Sequence, residues 1–117
     1  MDSTAFLCRG IRNIENTTPY QRAKNFTDEY EVYFFIESDE SNMPGDIVDK
    51  SEEIYSYPNI LPNISLLFSL WAFVTVLYVN NRDPIDAIYT THQPRYIISG
   101  YVLQIVGFTW ISEIYDH

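Results

Sequence analysis

The sequence predicts a mostly α-helical membrane protein, in which a two-helix transmembrane hairpin follows an acidic, largely irregular extramembrane arm. Two observations lead to this prediction. The second half of the chain has two long stretches without an Asp, Glu, Lys or Arg residue, and the first half holds most of the acidic residues. We therefore divide the chain into an arm, residues 1–57, and a hairpin, residues 58–117.

The two uncharged stretches are the predicted membrane spans. Residues 61–79 would extend roughly 28 Å as a helix, close to the ~30 Å hydrocarbon thickness of a bilayer. Residues 96–112 would extend roughly 25 Å, at the short end of the range for a span. Residues 80–95 contain two X-Pro breaker signals and form the predicted loop. The alternative is a pair of buried segments in a soluble domain, but residues 61–79 offer no polar face for such a helix.

Small residues predict how the two helices pack. Within lipid, helices associate through small side chains and interhelical hydrogen bonds. Each stretch carries a set at i, i+4 and i+7: Ser65, Ser69 and Ala72 in the first, and Gly100, Gln104 and Gly107 in the second. We expect these two faces to meet each other or a helix of a neighbouring subunit, with the Gln104 amide hydrogen-bonded across the contact.

Two arginines bracket the predicted loop. Arg82 and Arg95 would lie near one membrane face, where together they could bind the headgroup of an anionic phospholipid. The alternatives are that they anchor the topology, or that they form salt bridges with Asp83 or Asp86. Under the positive-inside rule, they place the loop on the cytosolic or matrix side.

The arm is strongly acidic. Residues 28–53 contain ten acids and a single base, Lys50, in a chain of net charge −9. This balance disfavours nucleic acid as a direct partner, because binding to its phosphate backbone requires a basic surface. Alternating apolar residues over 28–37 predict a short strand, although Phe34-Phe35-Ile36 also permits a helix turn or an extended segment on a partner. Residues 46–57 favour a short helix. Because the arm has no evident core of its own, we expect a neighbouring subunit to order it.

Motifs for catalysis and metal binding are absent from the sequence. There is one cysteine, Cys8, and the two histidines, His92 and His117, have no second ligand at a suitable spacing. No nucleophile elbow or phosphate-binding glycine motif occurs. We therefore expect no catalytic residue, no cofactor and no metal. An enzyme or transporter is further disfavoured because neither span holds a charged residue.

The predicted loop resembles that of a known family. The resemblance rests on Arg82-Asp83-Pro84-Ile85, His92 and Arg95-Tyr96-Ile97, set between two apolar helices. This arrangement is similar to the small two-helix accessory subunit in the membrane arm of mitochondrial respiratory complex I. The resemblance implies a location in the mitochondrial inner membrane and a role in scaffolding and assembly, without catalytic residues.

The expected function is therefore that of a non-catalytic accessory subunit of a multisubunit inner-membrane complex, with respiratory complex I as the expected parent. Its expected partners are other subunits and membrane lipids, including anionic phospholipid. The alternative is a soluble acidic binding module that blocks a basic partner protein. That alternative predicts acids spread around the surface, whereas here they cluster in residues 28–53.

Overall fold

A computed structural model describes residues 3–8, 18–37, 45–91 and 94–112. The strands are Ser3–Cys8 (β1), Glu31–Ile36 (β2), Glu53–Ser56 (β3), Ala87–Thr90 (β4) and Thr109–Ser112 (β5). The helices are Thr18–Glu29 (α1), Gly45–Lys50 (α2), Ser65–Arg82 (α3) and Pro94–Ile105 (α4).

The five strands form one parallel sheet in the order β3-β2-β1-β4-β5. The chain moves outward from β1 through β2 to β3, then crosses back to place β4 on the other side of β1. Buried side chains of α1 and α2 pack on one face of the sheet, and those of α3 and α4 pack on the opposite face. This is the arrangement of a doubly wound α/β fold.

The central strands are buried on both faces. In β2, Phe34 faces α1 and α2, whereas Phe35 faces α3 and α4, and neither side chain is exposed. A parallel sheet covered on both sides requires such continuous apolar strands. The predicted strand within residues 28–37 is therefore confirmed, and the apolar pair at its centre is explained by helices on both sides.

The predicted transmembrane hairpin is wrong. In the described parts of the chain, no helix combines the length and apolar character that a membrane crossing requires. Helix α3 covers most of the first predicted span, but a stripe of its side chains packs on the sheet: Phe68, Ala72, Val76 and Val79. The second predicted span divides into helix α4 and strand β5.

Gly107 is the reason for this division. It adopts a φ of 112°, in the left-handed region that glycine enters without steric cost. The N–H of Gly107 bonds to the carbonyl of Gln104 at 3.0 Å, and that of Phe108 bonds to the carbonyl of Leu103 at 3.1 Å. These two bonds form a Schellman motif, which ends α4 and directs the chain into β5.

The sheet also crosses the predicted boundary between arm and hairpin. The arm supplies β1, β2 and β3, and β4 pairs with β1 from within the predicted loop, residues 80–95. Phe6 and Phe34 from the arm belong to the same buried cluster as Tyr89 of β4. Residues 1–57 therefore lack a hydrophobic core only when they are considered alone. In the folded chain, strands and helices from the second half complete that core.

Two tyrosines make the fold sensitive to alkaline pH. Tyr33 of β2 donates its hydroxyl to the carboxylate of Asp83, just beyond α3. Burial, followed by this hydrogen bond, raises the pKa of Tyr33 well above its usual range. Burial and the hydrogen bond to Glu53 raise the pKa of Tyr55 to about 12.

We expect the free energy of unfolding to fall as the pH rises above about 10. Tyrosine in the unfolded chain ionises at a pKa of about 10, whereas the folded state keeps these hydroxyls protonated to higher pH. Their contribution is therefore complete below pH 10 and is lost above it. Urea unfolding between pH 8 and 11.5 would measure the slope, which should be shallower for Tyr33→Phe. The same slope in Tyr33→Phe as in the wild type would contradict the Tyr33–Asp83 contribution.

Candidate functional site

The strand order places a topological switch point at the carboxyl edge of the sheet, where a ligand crevice is expected. The connection from β1 to β2 runs through α1 on one face, and the connection from β3 to β4, which lies beside β1, runs through α3 on the other face. In open α/β sheets, ligands bind outside the carboxyl ends of the strands where the connections diverge in this way. We define the carboxyl-edge crevice by its polar residues Cys8, Glu37, Asn63, Arg95 and Tyr96.

An ion pair lies at the centre of the carboxyl-edge crevice. Glu37 follows β2 directly, and its N–H bonds to the carbonyl of Cys8 at the end of β1. Arg95, in the first turn of α4, donates to the carboxylate of Glu37 and to the side-chain oxygen of Asn63. The side chains of Arg95 and Glu37 are only 22% and 12% exposed. Because desolvation offsets much of the Coulomb energy of such a pair, stability alone does not explain its presence.

Tyr96 adds a buried hydroxyl beside the ion pair. Its side chain is fully buried, and within the described ranges its hydroxyl has no hydrogen bond of normal geometry, although it interacts with the Glu37 carboxylate. Burial, followed by the nearby charge of Glu37, raises the pKa of Tyr96. The hydroxyl is therefore a neutral donor at physiological pH. The Tyr96 hydroxyl therefore adds a third polar group to the Glu37–Arg95 pair.

Helix α4 directs its amino terminus toward the crevice. The first-turn N–H groups of a twelve-residue helix carry a partial positive charge, which favours anions. Hydrogen bonds fix this turn against α3, because the Ser99 hydroxyl donates to the carbonyl of Arg95 at 2.9 Å and shares a second hydrogen bond, 3.1 Å long, with the hydroxyl of Ser69. These bonds fix the backbone of Arg95, whose side chain contacts Glu37.

The predicted packing residues do not form two facing sets. Ser69 and Ala72 are buried in α3, and Ser65 is half-buried. Gly100 is buried against the Trp110 indole, Gln104 is exposed, and Gly107 lies beyond the end of α4. The contact between the helices instead includes the Ser69–Ser99 hydrogen bond and the edge-on Phe68–Tyr96 ring pair.

The two predicted phospholipid-binding arginines lie at opposite edges of the sheet. Arg82, at the end of α3, bonds to Glu53 at the start of β3 and to the Tyr55 hydroxyl. Arg95 lies at the carboxyl edge with Glu37. The shared membrane face on which the phospholipid hypothesis depended is therefore not present. The observed partner of Arg82 is Glu53, rather than Asp83 or Asp86.

A concavity is observed at the amino edge of the sheet. It is a groove of about 370 Å³ between α1 and the starts of β1 and β4. Its lining residues are Thr4, Asn25, Phe26, Glu29, Tyr30, Asp86, Ala87 and Ile111. The Asp86 carboxylate in this groove already accepts the N–H of Ser3 at 2.8 Å. Because the described residues that line this groove include no cation, whereas Arg95 lies at the carboxyl edge, we favour the carboxyl-edge crevice as the ligand site.

Sequence reasoning missed Glu37 as a site residue, and it assigned Arg95 to an anionic phospholipid headgroup, with a topology anchor or a salt bridge as the alternatives. A signal for Glu37 exists in the sequence. Two apolar runs, residues 5–8 and 32–36, each end at a charged residue, Arg9 and Glu37. If both runs are read as parallel buried strands, these charges mark the carboxyl edge of a sheet.

The fold and the crevice together define a doubly wound α/β domain with a polar site at the switch point of its sheet. The described residues contain no group of three or more His, Cys, Asp or Glu side chains that could hold a metal ion. No family model, no curated protein and no solved structure matches the chain.

Proposed function

We propose that the chain is a ligand-binding domain whose ligand carries both hydroxyl groups and a negative charge, as in a sugar phosphate or a mononucleotide. The ligand would lie in the carboxyl-edge crevice. The observation that carries this proposal is the convergence of Glu37, Arg95 and the Tyr96 hydroxyl at the switch point of the sheet.

Each group has a chemical role toward such a ligand. The guanidinium of Arg95 and the amino terminus of α4 would bind a phosphate, because both present N–H donors in a positive field. The carboxylate of Glu37 would accept hydrogen bonds from sugar hydroxyls, as an acid at this position does in dinucleotide-binding folds. Tyr96 would donate its hydroxyl hydrogen to the ligand in place of Glu37. In the ligand-free protein, Glu37 and Arg95 neutralise each other.

A dinucleotide is a weaker candidate. The dinucleotide fingerprint needs a Gly-x-Gly-x-x-Gly turn after the first strand, so that the backbone can approach a pyrophosphate. Residues 9–17, which follow β1 in the chain, contain one glycine, Gly10, together with Arg9 and Arg12. This composition favours phosphate recognition by arginine side chains rather than by a glycine cradle.

Calorimetric titration of the full chain tests the proposal. The probes are adenosine 5′-monophosphate, glucose 6-phosphate and inorganic phosphate. We expect one of the two organic phosphates to bind more tightly than inorganic phosphate. Arg95→Ala should weaken that binding at least tenfold, and Arg95→Lys should weaken it less, because lysine keeps the charge but loses the planar fork.

Arg82→Ala provides the matched control. It removes the same side chain from a pair with glutamate, but at the opposite edge of the sheet. We expect it to leave ligand affinity unchanged. Tyr96→Phe should reduce affinity several-fold with little change in stability, since the removed hydroxyl has no hydrogen bond of normal geometry. The proposal fails if neither organic phosphate binds, or if Arg82→Ala and Arg95→Ala weaken binding equally.

The role of accessory subunit in respiratory complex I stays a prediction from the sequence. It depended on two membrane spans, and no such span occurs in residues 3–8, 18–37, 45–91 and 94–112. The proposal of a ligand-binding domain is favoured instead because it depends on observed contacts.

A further inference from the structure

The outer faces of α3 and α4 present a continuous apolar surface, which we name the outer apolar face. Its residues are Leu66, Leu70, Val74, Leu77 and Tyr78 of α3, together with Ile98, Tyr101, Val102, Ile105 and Val106 in and just after α4. Each of these side chains is exposed, and Leu66 reaches 75%.

The outer apolar face arises from helical periodicity. In α3, its residues recur at i, i+4, i+8 and i+11, on the side of the helix opposite the buried stripe that packs on the sheet. Helix α4 lies beside α3, joined to it by the Ser69–Ser99 hydrogen bond. The two apolar stripes are therefore neighbours on one face of the molecule.

The outer apolar face is larger than the apolar patches on the surfaces of typical monomers. Ten side chains that are each about half exposed present on the order of 1,000 Å². The largest apolar patch on a typical monomer covers about 300–600 Å². A stable dimer buries about 800 Å² on each partner. The outer apolar face thus has the area of one side of a dimer interface.

The distribution of charge favours a second copy of the chain as the occupant. Residues 66–78 and 98–106 contain no Asp, Glu, Lys or Arg. The acids of α1 and α2 include Asp28 and Asp46, and these helices cover the opposite face of the sheet. Two copies can therefore meet through the outer apolar face without bringing these acids together. A lipid surface suits this chain less well, because stable interfacial helices carry basic residues and the net charge here is −9.

We propose that the chain forms a two-fold symmetric dimer through the outer apolar face. The α3 and α4 helices of the two copies would pack as a four-helix layer between two sheets. Such a contact is self-complementary, since the same patch serves both partners. Tyr78 and Tyr101 would serve as aromatic anchors within it. This proposal does not depend on the ligand site at the carboxyl edge.

Sedimentation equilibrium of the full chain over a range of concentrations tests the dimer. We expect the wild type to reach twice the chain mass of 13.7 kDa. Val74→Glu should raise the dissociation constant of the dimer at least 100-fold, because it would bury an unpaired carboxylate in the interface. Leu70→Ser provides a milder second variant, and circular dichroism establishes that each variant folds.

Ile60→Glu is the matched control. Ile60 is 93% exposed, but it lies before α3 and outside the outer apolar face. We expect this variant to dimerise like the wild type. A wild-type protein that stays monomeric at ~100 μM would overturn the proposal, whether or not it binds phosphatidylcholine vesicles. A folded Val74→Glu variant that remains fully dimeric would overturn it as well.

Discussion

Replacing Phe68 with alanine is expected to lower the free energy of unfolding by about 3–5 kcal/mol. The Phe68 side chain of α3 is fully buried against α4 and the sheet. Its ring centroid lies 5.3–5.7 Å from those of Tyr57, Trp71 and Tyr96. Alanine would leave a cavity where three rings now meet, and small domains have only about 5–15 kcal/mol of total stability.

Urea unfolding monitored by circular dichroism measures this loss. Ile60→Ala is the control, because its side chain is 93% exposed and its truncation should change stability by less than about 0.5 kcal/mol. Both proteins should be compared at the same low concentration, so that association does not contribute. Equal losses for the two variants would contradict the buried position of Phe68.

The second large effect is expected at Gly100 of α4. A Cβ atom added to this residue would overlap the Trp110 indole. The indole has little freedom to move, since its Nε1–H donates to the Thr90 hydroxyl at 2.9 Å. Overpacking of this kind costs about 1–3 kcal/mol, which exceeds the ~1 kcal/mol that alanine gains over glycine within a helix. We therefore expect Gly100→Ala to destabilise the protein, although alanine has a higher helix propensity than glycine.

A double-mutant cycle isolates the cause. In a Trp110→Ala background the overlap is absent, so the added methyl group should be neutral or stabilising by up to about 1 kcal/mol. The difference between the two backgrounds is the coupling energy of the Gly100–Trp110 contact. A destabilising effect of the same size in both backgrounds would show that the indole is not responsible.

Some elements were accessible from the sequence because their signals are local. The uncharged stretch at 61–79 indicated a helix, and a helix is observed at Ser65–Arg82, but the membrane span assigned to this stretch is wrong. Alternation within residues 28–37 indicated the strand at Glu31–Ile36. The stop at Gly107 was also readable, since glycine is the usual residue just beyond a helix, but it was interpreted as a packing residue.

The membrane prediction was wrong because hydrophobicity does not identify what covers a side chain. Helix α3 is apolar on nearly all sides for two separate reasons. Its inner stripe packs on the sheet, and its outer stripe forms the outer apolar face. A bilayer, a sheet and a partner protein all select the same residue types, so a helix hydrophobic on all sides is compatible with each of them.

By itself, the sequence determined the apolar segments, the acidic block at residues 28–53 and the absence of familiar catalytic motifs. The tertiary structure decided that three strands of the apparent arm join two from the second half in one parallel sheet. It also brought Glu37 into contact with Arg95, 58 residues further along the chain. The physical reason is that parallel strands pair only through long crossover connections, so their register and the site at their ends depend on contacts that no local pattern records.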